Sequence, residues 1–116
     1  MELRRYCSGL GAALDIIGGK WKLLILHHLT QGTLRYGELR RRIPAVSDKV
    51  LIQQLKELQA DELVRRVDHK EIPPRVEYSL TPFGRSLTVV VEPLNAWGEK
   101  HVARIAKASV RRNEAG

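Results

Sequence analysis

Apolar residues recur along the chain at helical spacing, in successive runs that each end on a residue a helix tolerates poorly. Leu10, Ala13, Leu14, Ile16 and Ile17 form a first stripe that stops at Gly18-Gly19, where a left-handed cap costs little, so a helix is predicted over about residues 9–18. Lys20 to Gln31 carries Trp21, Leu24, Ile25, Leu26, His28 and Leu29 up to Gly32, the pattern of a helix buried on most sides. Thr33-Leu34-Arg35 reads as short and extended. Tyr36, Leu39, Arg40 and Ile43 then recur at three and four until Pro44, which pushes the residue before it out of the α region. Ser47 caps a further helix whose Leu51, Leu55 and Leu58 make the apolar stripe, with Lys49, Ile52, Gln53 and Lys56 on the opposite face.

Two helices joined by the tight Pro44-Ala45-Val46 turn, the second wet and basic on one side, predict a helix-turn-helix over about residues 36–61. Leu63–Val67 and Val76–Leu80 are β-branched and aromatic enough for strands, and the prolines of Lys70-Glu71-Ile72-Pro73-Pro74 between them cannot donate to a ladder. A hairpin over about residues 63–80 with a stiff, protruding tip follows. Thr81 before Pro82 looks like a cap with proline at the first helical position. Leu87, Val90, Leu94, Trp97, His101 and Ile105 then predict a long helix over about residues 82–107, bent at Pro93, with a frayed basic end from Arg111 to Gly116. The fold class is mainly α with a small β hairpin, a winged helix-turn-helix in a single domain of residues 1–116.

Composition agrees with one small folded domain: 116 residues, 43% hydrophobic and 28% charged. The longest stretch free of Lys, Arg, Asp and Glu, Leu23 to Leu34, is short of the roughly 18 residues a membrane span needs, so no membrane partner is expected. Met1 to Cys7 holds no apolar run leading to a cleavage site, which predicts a cytoplasmic protein. The net charge of +7 favours an anionic partner, nucleic acid first. No phosphate-binding glycine loop, nucleophile elbow or paired carboxylates on one helical face occurs, so neither an enzyme nor a cofactor is expected. His27 and His28 are adjacent while His69 and His101 are distant, which leaves no zinc-ligand spacing and no metal site. Trp21, Tyr36, Tyr78, Phe83 and Trp97 fall on apolar stripes or strands and read as packing, not as a base-stacking platform.

The chemistry left is recognition of double-stranded DNA. An α-helix fits a major groove about 12 Å wide, where Lys and Gln side chains meet base-edge acceptors and donors, while a hairpin reaches the neighbouring groove or backbone. The candidate contacts are Arg35, Ser47, Asp48, Lys49, Ile52, Gln53, Lys56, Arg66, Lys70 and Arg75, with Gln53 assigned to a base and Arg75 to a phosphate or minor groove. Any one of these charges fits a merely solvated face as well. The set together, with Arg65 also on the hairpin, fits it poorly. The alternative is a winged-helix protein-interaction module or a non-specific nucleic-acid binder.

The residues themselves resemble the HxlR-type winged helix-turn-helix transcriptional regulators of the MarR-like group. The resemblance runs from Cys7 to about His101 and rests on several ordered pieces. These are Leu14-Asp15-Ile16-Ile17-Gly18-Gly19-Lys20-Trp21 with Ile25-Leu26, Arg35-Tyr36-Gly37-Glu38-Leu39-Arg40-Arg41-Arg42-Ile43-Pro44, Ser47 with Leu51, and Gln54-Leu55 with Glu57-Leu58. Pro73-Pro74-Arg75-Val76-Glu77-Tyr78-Ser79-Leu80-Thr81, Gly84 and Trp97 complete the set. The resemblance implies a homodimer on a palindromic operator, joined through the first and last helices. Leu10, Leu14, Leu87, Val90, Leu94, Trp97 and Ile105 are its candidate interface, since they give more apolar stripe than a monomer of this size can cover.

Departures from the family pattern carry information. Glu62 stands where the family usually has glycine, so the exit from the second helix of the pair lacks the residue best suited to a left-handed turn. Asp48 would repel a phosphate or accept from a cytosine amino group, and Ile52 replaces a hydroxyl residue with an apolar one. Ser8 stands where proline is common. Cys7, the single cysteine, has two readings: a small residue packed against the first helix, or a thiol that senses an oxidant or electrophile. Arg4 and Arg5 make a basic setting that favours the reactive thiolate, and some relatives with an N-terminal cysteine resembling Cys7 are such sensors.

Overall fold

Leucine and isoleucine rows on helices that cross one another build the centre of the protein. In a computed structural model describing residues 5–115, the chain runs α1 (Gly9–Ile17), α2 (Lys22–Leu29), β1 (Leu34–Arg35), α3 (Tyr36–Arg42), α4 (Asp48–Ala60), β2 (Val64–Asp68), β3 (Val76–Leu80), α5 (Pro82–Arg85), α6 (Thr88–Lys100) and α7 (Val102–Ala115). Ile25, Leu26 and Leu29 of α2, Leu39 of α3, and Leu51, Leu55 and Leu58 of α4 are all buried, so α2 forms the floor on which the helix-turn-helix rests. Ser47 Oγ accepts from the Val50 N–H at 3.2 Å and starts α4, while Val46 N donates to Ile43 O in the intervening turn.

The sheet has antiparallel order β1-β3-β2, with Leu34 opposite Tyr78 and Val64 opposite Leu80. The extended segment after α2 thus adds a third strand to the expected hairpin. Its two residues alternate, Leu34 into the core and Arg35 outward.

The exit from α4 is made by Glu62 in the left-handed region, at φ 61°. Leu63 N donates to Leu58 O at 2.9 Å and Glu62 N to Gln59 O at 3.0 Å, the paired bonds of a Schellman ending, and Thr81 Oγ1 donates to Glu62 O at 2.6 Å. A side chain held at this φ carries a steric cost that glycine lacks, partly offset by the freedom glycine loses on folding. Glu62→Gly is therefore expected to raise the unfolding free energy by about 0.5–1 kcal/mol, read as a higher denaturant midpoint at unchanged slope.

The single long helix predicted over 82–107 is corrected to three helices. Ser86 with Leu87, and His101, lie between them, and α7 continues to Ala115 in place of a frayed end. The second interruption falls at His101 (φ −110°, ψ 15°), and neither falls at Pro93, through which α6 passes unbroken. The helix breaks where the backbone of His101 leaves the α region, its ring lying 5.0 Å from that of Trp97 at a tilt of 46°. Gly18 is likewise extended, and Gly19, at φ 95°, takes the positive angle that ends the first helical unit. Val91 buries α6 against the winged unit, and Glu92 fastens it to α2 by accepting from Thr30 Oγ1 and pairing with His27 Nδ1, each at 3.1 Å.

Candidate functional site

Because Leu51, Leu55 and Leu58 all point into the core, the 3.6-residue period leaves Lys49, Ile52, Gln53 and Lys56 exposed on the outer side of α4. Arg66 lies on the sheet face that meets this helix. Tyr36, Ile52, Lys56, Gln59, Arg66, Val76 and Tyr78 line one groove of about 510 Å³ between α4 and the wing. Two cations therefore flank an aromatic and aliphatic floor. Arg65, one residue away, lies on the opposite face of the sheet with Thr33 and Val67.

Several of the other candidates are engaged within the protein. Ser47 serves as the cap of α4. Asp48 Oδ1 accepts from the Tyr36 hydroxyl at 2.5 Å and from Arg40 Nε at 3.0 Å, tying α3 to the first turn of α4. Those bonds hold the Asp48 carboxyl below the usual carboxylate range, the Tyr36 hydroxyl contributing first. Burial, then the bond to Asp48, pushes the Tyr36 hydroxyl up to about 12. A depressed carboxyl adds stability that is present above its unfolded value and disappears as pH falls through its folded value. Asp48→Asn is thus expected to unfold earlier in denaturant than the native protein near neutral pH. That gap should close as pH is lowered through the carboxylate range.

Arg75 is the brace of the wing. Its Nε and Nη2 each meet a Glu71 oxygen at 3.0 Å and its Nη1 lies 3.5 Å from Glu77, whose carboxylate also pairs with His69. All three guanidinium nitrogens face carboxylates, so a phosphate at this arginine would have to displace one. Lys70 adopts φ 54°, its N–H donating to Asp68 Oδ1 at 2.8 Å, and Ile72 stands fully exposed at the tip. Arg35 is exposed beside α3, whose first turn is fastened by Glu38 accepting from the Arg35 N–H at 3.0 Å.

An ion pair beneath the exposed face of α4 has no counterpart in the sequence reading. Lys22 is buried, 8% exposed, and donates to Glu57 Oε1 at 2.8 Å, joining α2 to α4. A cation at position 22 on the stripe that continues through Ile25 and Leu29 was the available signal, since a buried ammonium needs a carboxylate partner.

The dimer-face candidates are carried by α1, by α6 and α7, and by Leu87, which packs against the core. Leu10 is 70% exposed, Leu14 53%, Trp97 57%, and Val90, Leu94 and Ile105 are exposed as well, with Leu87 half-buried. Cys7 is exposed beside Ser8, whose hydroxyl caps α1 by accepting from the Gly11 N–H at 3.1 Å. The Cys7 thiol is therefore not a core packing residue of the single chain. Of its two basic neighbours, Arg5 is exposed and Arg4 lies outside the described residues. No helix among the described residues is long and apolar enough to cross a membrane.

Comparison with known proteins agrees with this layout. The chain is 46% identical over 105 residues to the HTH-type transcriptional regulator YtcD of Bacillus subtilis (strain 168), covering 90% of this chain and 83% of that one. The reduced form of the redox regulator HypR superposes with a TM-score of 0.79 at 41% identity, over 86% of this chain and 99% of that one. The reduced form of the transcriptional regulator YodB from B. subtilis gives 0.69 at 36% identity, over 81% and 92%. A family model described as HxlR-like helix-turn-helix matches residues 16–106. The chain belongs to the HxlR-like helix-turn-helix family and is a transcriptional regulator with a winged helix-turn-helix fold, not an enzyme.

Proposed function

We propose that this regulator binds a palindromic operator as a homodimer in the cytoplasm, with α4 of each protomer in a major groove, and that oxidants or electrophiles act on it through Cys7. The observation that carries DNA reading is the row Lys49, Ile52, Gln53 and Lys56, which stands clear of the core on one side of a capped helix. Arg66 and Lys56 flank the groove beside it and suit the backbone. Capture of fragmented genomic DNA by the protein, followed by sequencing, tests the reading. One enriched palindrome is expected; uniform coverage would point to a non-specific binder, and no capture to a protein-interaction module.

Exposure of Cys7, next to the Ser8 cap of α1, supports the sensing step. Solved relatives include HypR in an oxidized and a reduced form and a diamide-treated YodB. With one cysteine per chain, diamide can link the two Cys7 thiols of a dimer or join each to a small thiol; each disulfide releases two electrons and two protons to the diamide. Two recognition helices must sit about 34 Å apart to meet half-sites one turn apart, so a shift of a few ångströms at α1 lowers affinity without unfolding. Diamide is expected to weaken operator binding of the native protein and to leave Cys7→Ser unchanged. Equal responses would remove Cys7 from the mechanism.

A further inference from the structure

Lys22 is the buried charged side chain among the described residues, and its ammonium leads outward to the reading face in two steps. It donates to Glu57 Oε1 at 2.8 Å, and the other oxygen of the same carboxylate, Oε2, accepts from Gln53 Nε2 at 3.4 Å. The bond to Lys22 holds the Glu57 carboxyl below its usual range, so it is an ionised, acceptor-only group. The Gln53 group that faces it must then be the amide nitrogen and not the oxygen. An ammonium as buried as Lys22 pays heavily for losing its partner, which keeps Glu57 from swinging away.

We propose that Lys22 and Glu57 are positioning residues that fix the Gln53 amide so that it reads adenine in preference to guanine in the major groove. One amide hydrogen of Gln53 is committed to Glu57, which leaves its carbonyl oxygen and its second amide hydrogen for the DNA. That donor and acceptor match adenine, which offers the N6 amino group and N7. Guanine presents two acceptors, N7 and O6, and leaves the Gln53 oxygen facing an acceptor. Without the carboxylate the amide is free to turn its nitrogen toward guanine. The inference rests on α4 being the base reader.

Selection of bound sites from a randomised operator library, with the full chain, tests it on four proteins. These are the native protein, Gln53→Ala, Glu57→Gln, and the double variant Lys22→Met with Glu57→Gln. The double variant removes the buried charge together with its partner and so reports even where Glu57→Gln alone folds poorly. Gln53→Ala is expected to lose an adenine preference at one position in each half-site. Glu57→Gln and the double variant are expected to lower the adenine-to-guanine ratio at that same position roughly tenfold, with preferences elsewhere intact. A general loosening of the fold would instead weaken every position alike. Native adenine preference in both Glu57 variants, or a Gln53 position that is not adenine, overturns the inference and leaves α4 as reader. Native preferences in Gln53→Ala overturn both.

Discussion

Trp97→Asp is expected to give a monomer by light scattering at micromolar concentration and to bind operator DNA at least about a hundredfold more weakly. Trp97 leaves 57% of its surface open on α6, in line with Val90 and Leu94 at helical spacing, and Leu10 and Leu14 of α1 expose a second apolar row. Apolar area of this extent on a small soluble chain is normally covered by a partner, and a twofold axis makes every side chain of the face count twice. Loss of one buried tryptophan from an interface costs about 2–4 kcal/mol, and a carboxylate in its place adds a desolvation cost. The operator affinity falls because two half-sites held by one rigid dimer bind far more tightly than two independent monomers. The substitution spares the winged unit, since the core around Ile25, Leu39 and Leu55 makes no use of Trp97. Near-native denaturation of the monomeric variant is therefore part of the expected result. A dimeric, fully active Trp97→Asp protein would place the interface elsewhere.

The winged unit was legible because its signals are local. Ser47 caps the helix that its position predicts, Leu51, Leu55 and Leu58 fall on one face by spacing alone, and β3 occupies Val76–Leu80 because the preceding prolines fix its start. Glu62 stands where the family usually has glycine, and it sits at φ 61°. Partner choice was not legible, because it depends on which helices end up side by side. Asp48 read as a groove-facing carboxylate until α3 brought Tyr36 and Arg40 against it. Arg75, by sequence a phosphate or minor-groove contact, has Glu71 and Glu77 folded onto its guanidinium by the turn of the wing. The interruption at His101 carries no glycine or proline at the site itself, whereas Pro93, the evident breaker in the sequence, sits within a continuous α6.

Gly84→Ala is expected to destabilise the protein by about 3 kcal/mol or more. Gly84 carries a helical backbone angle, so its role is closeness and not conformational freedom: a Cβ there would stand 2.0 Å from the Leu63 carbonyl oxygen and 3.0 Å from its carbon. Both are backbone atoms that no rotamer can withdraw. The same carbonyl accepts from Thr81 N at 3.2 Å, and Thr81 Oγ1 accepts from Gly84 N at 3.0 Å while donating to Glu62 O at 2.6 Å. Moving α5 far enough to admit a methyl group breaks the two bonds from Thr81 to Leu63 and Glu62 and pulls α5 away from the exit of α4. Against a total stability of about 5–15 kcal/mol for a domain of this size, the loss is large. Equilibrium unfolding in urea should show a lower midpoint for Gly84→Ala, alongside Gly37→Ala as a control. A Cβ at Gly37 meets only Arg41 Nη1, at 3.6 Å, so exchanging a helical glycine for alanine there should gain about 0.5–1 kcal/mol. The two substitutions are chemically identical and opposite in sign. A near-native midpoint for Gly84→Ala would mean that α5 can move off Leu63 at little cost, and that Thr81 is held to the exit of α4 more loosely than its bonds to Glu62 and Leu63 imply.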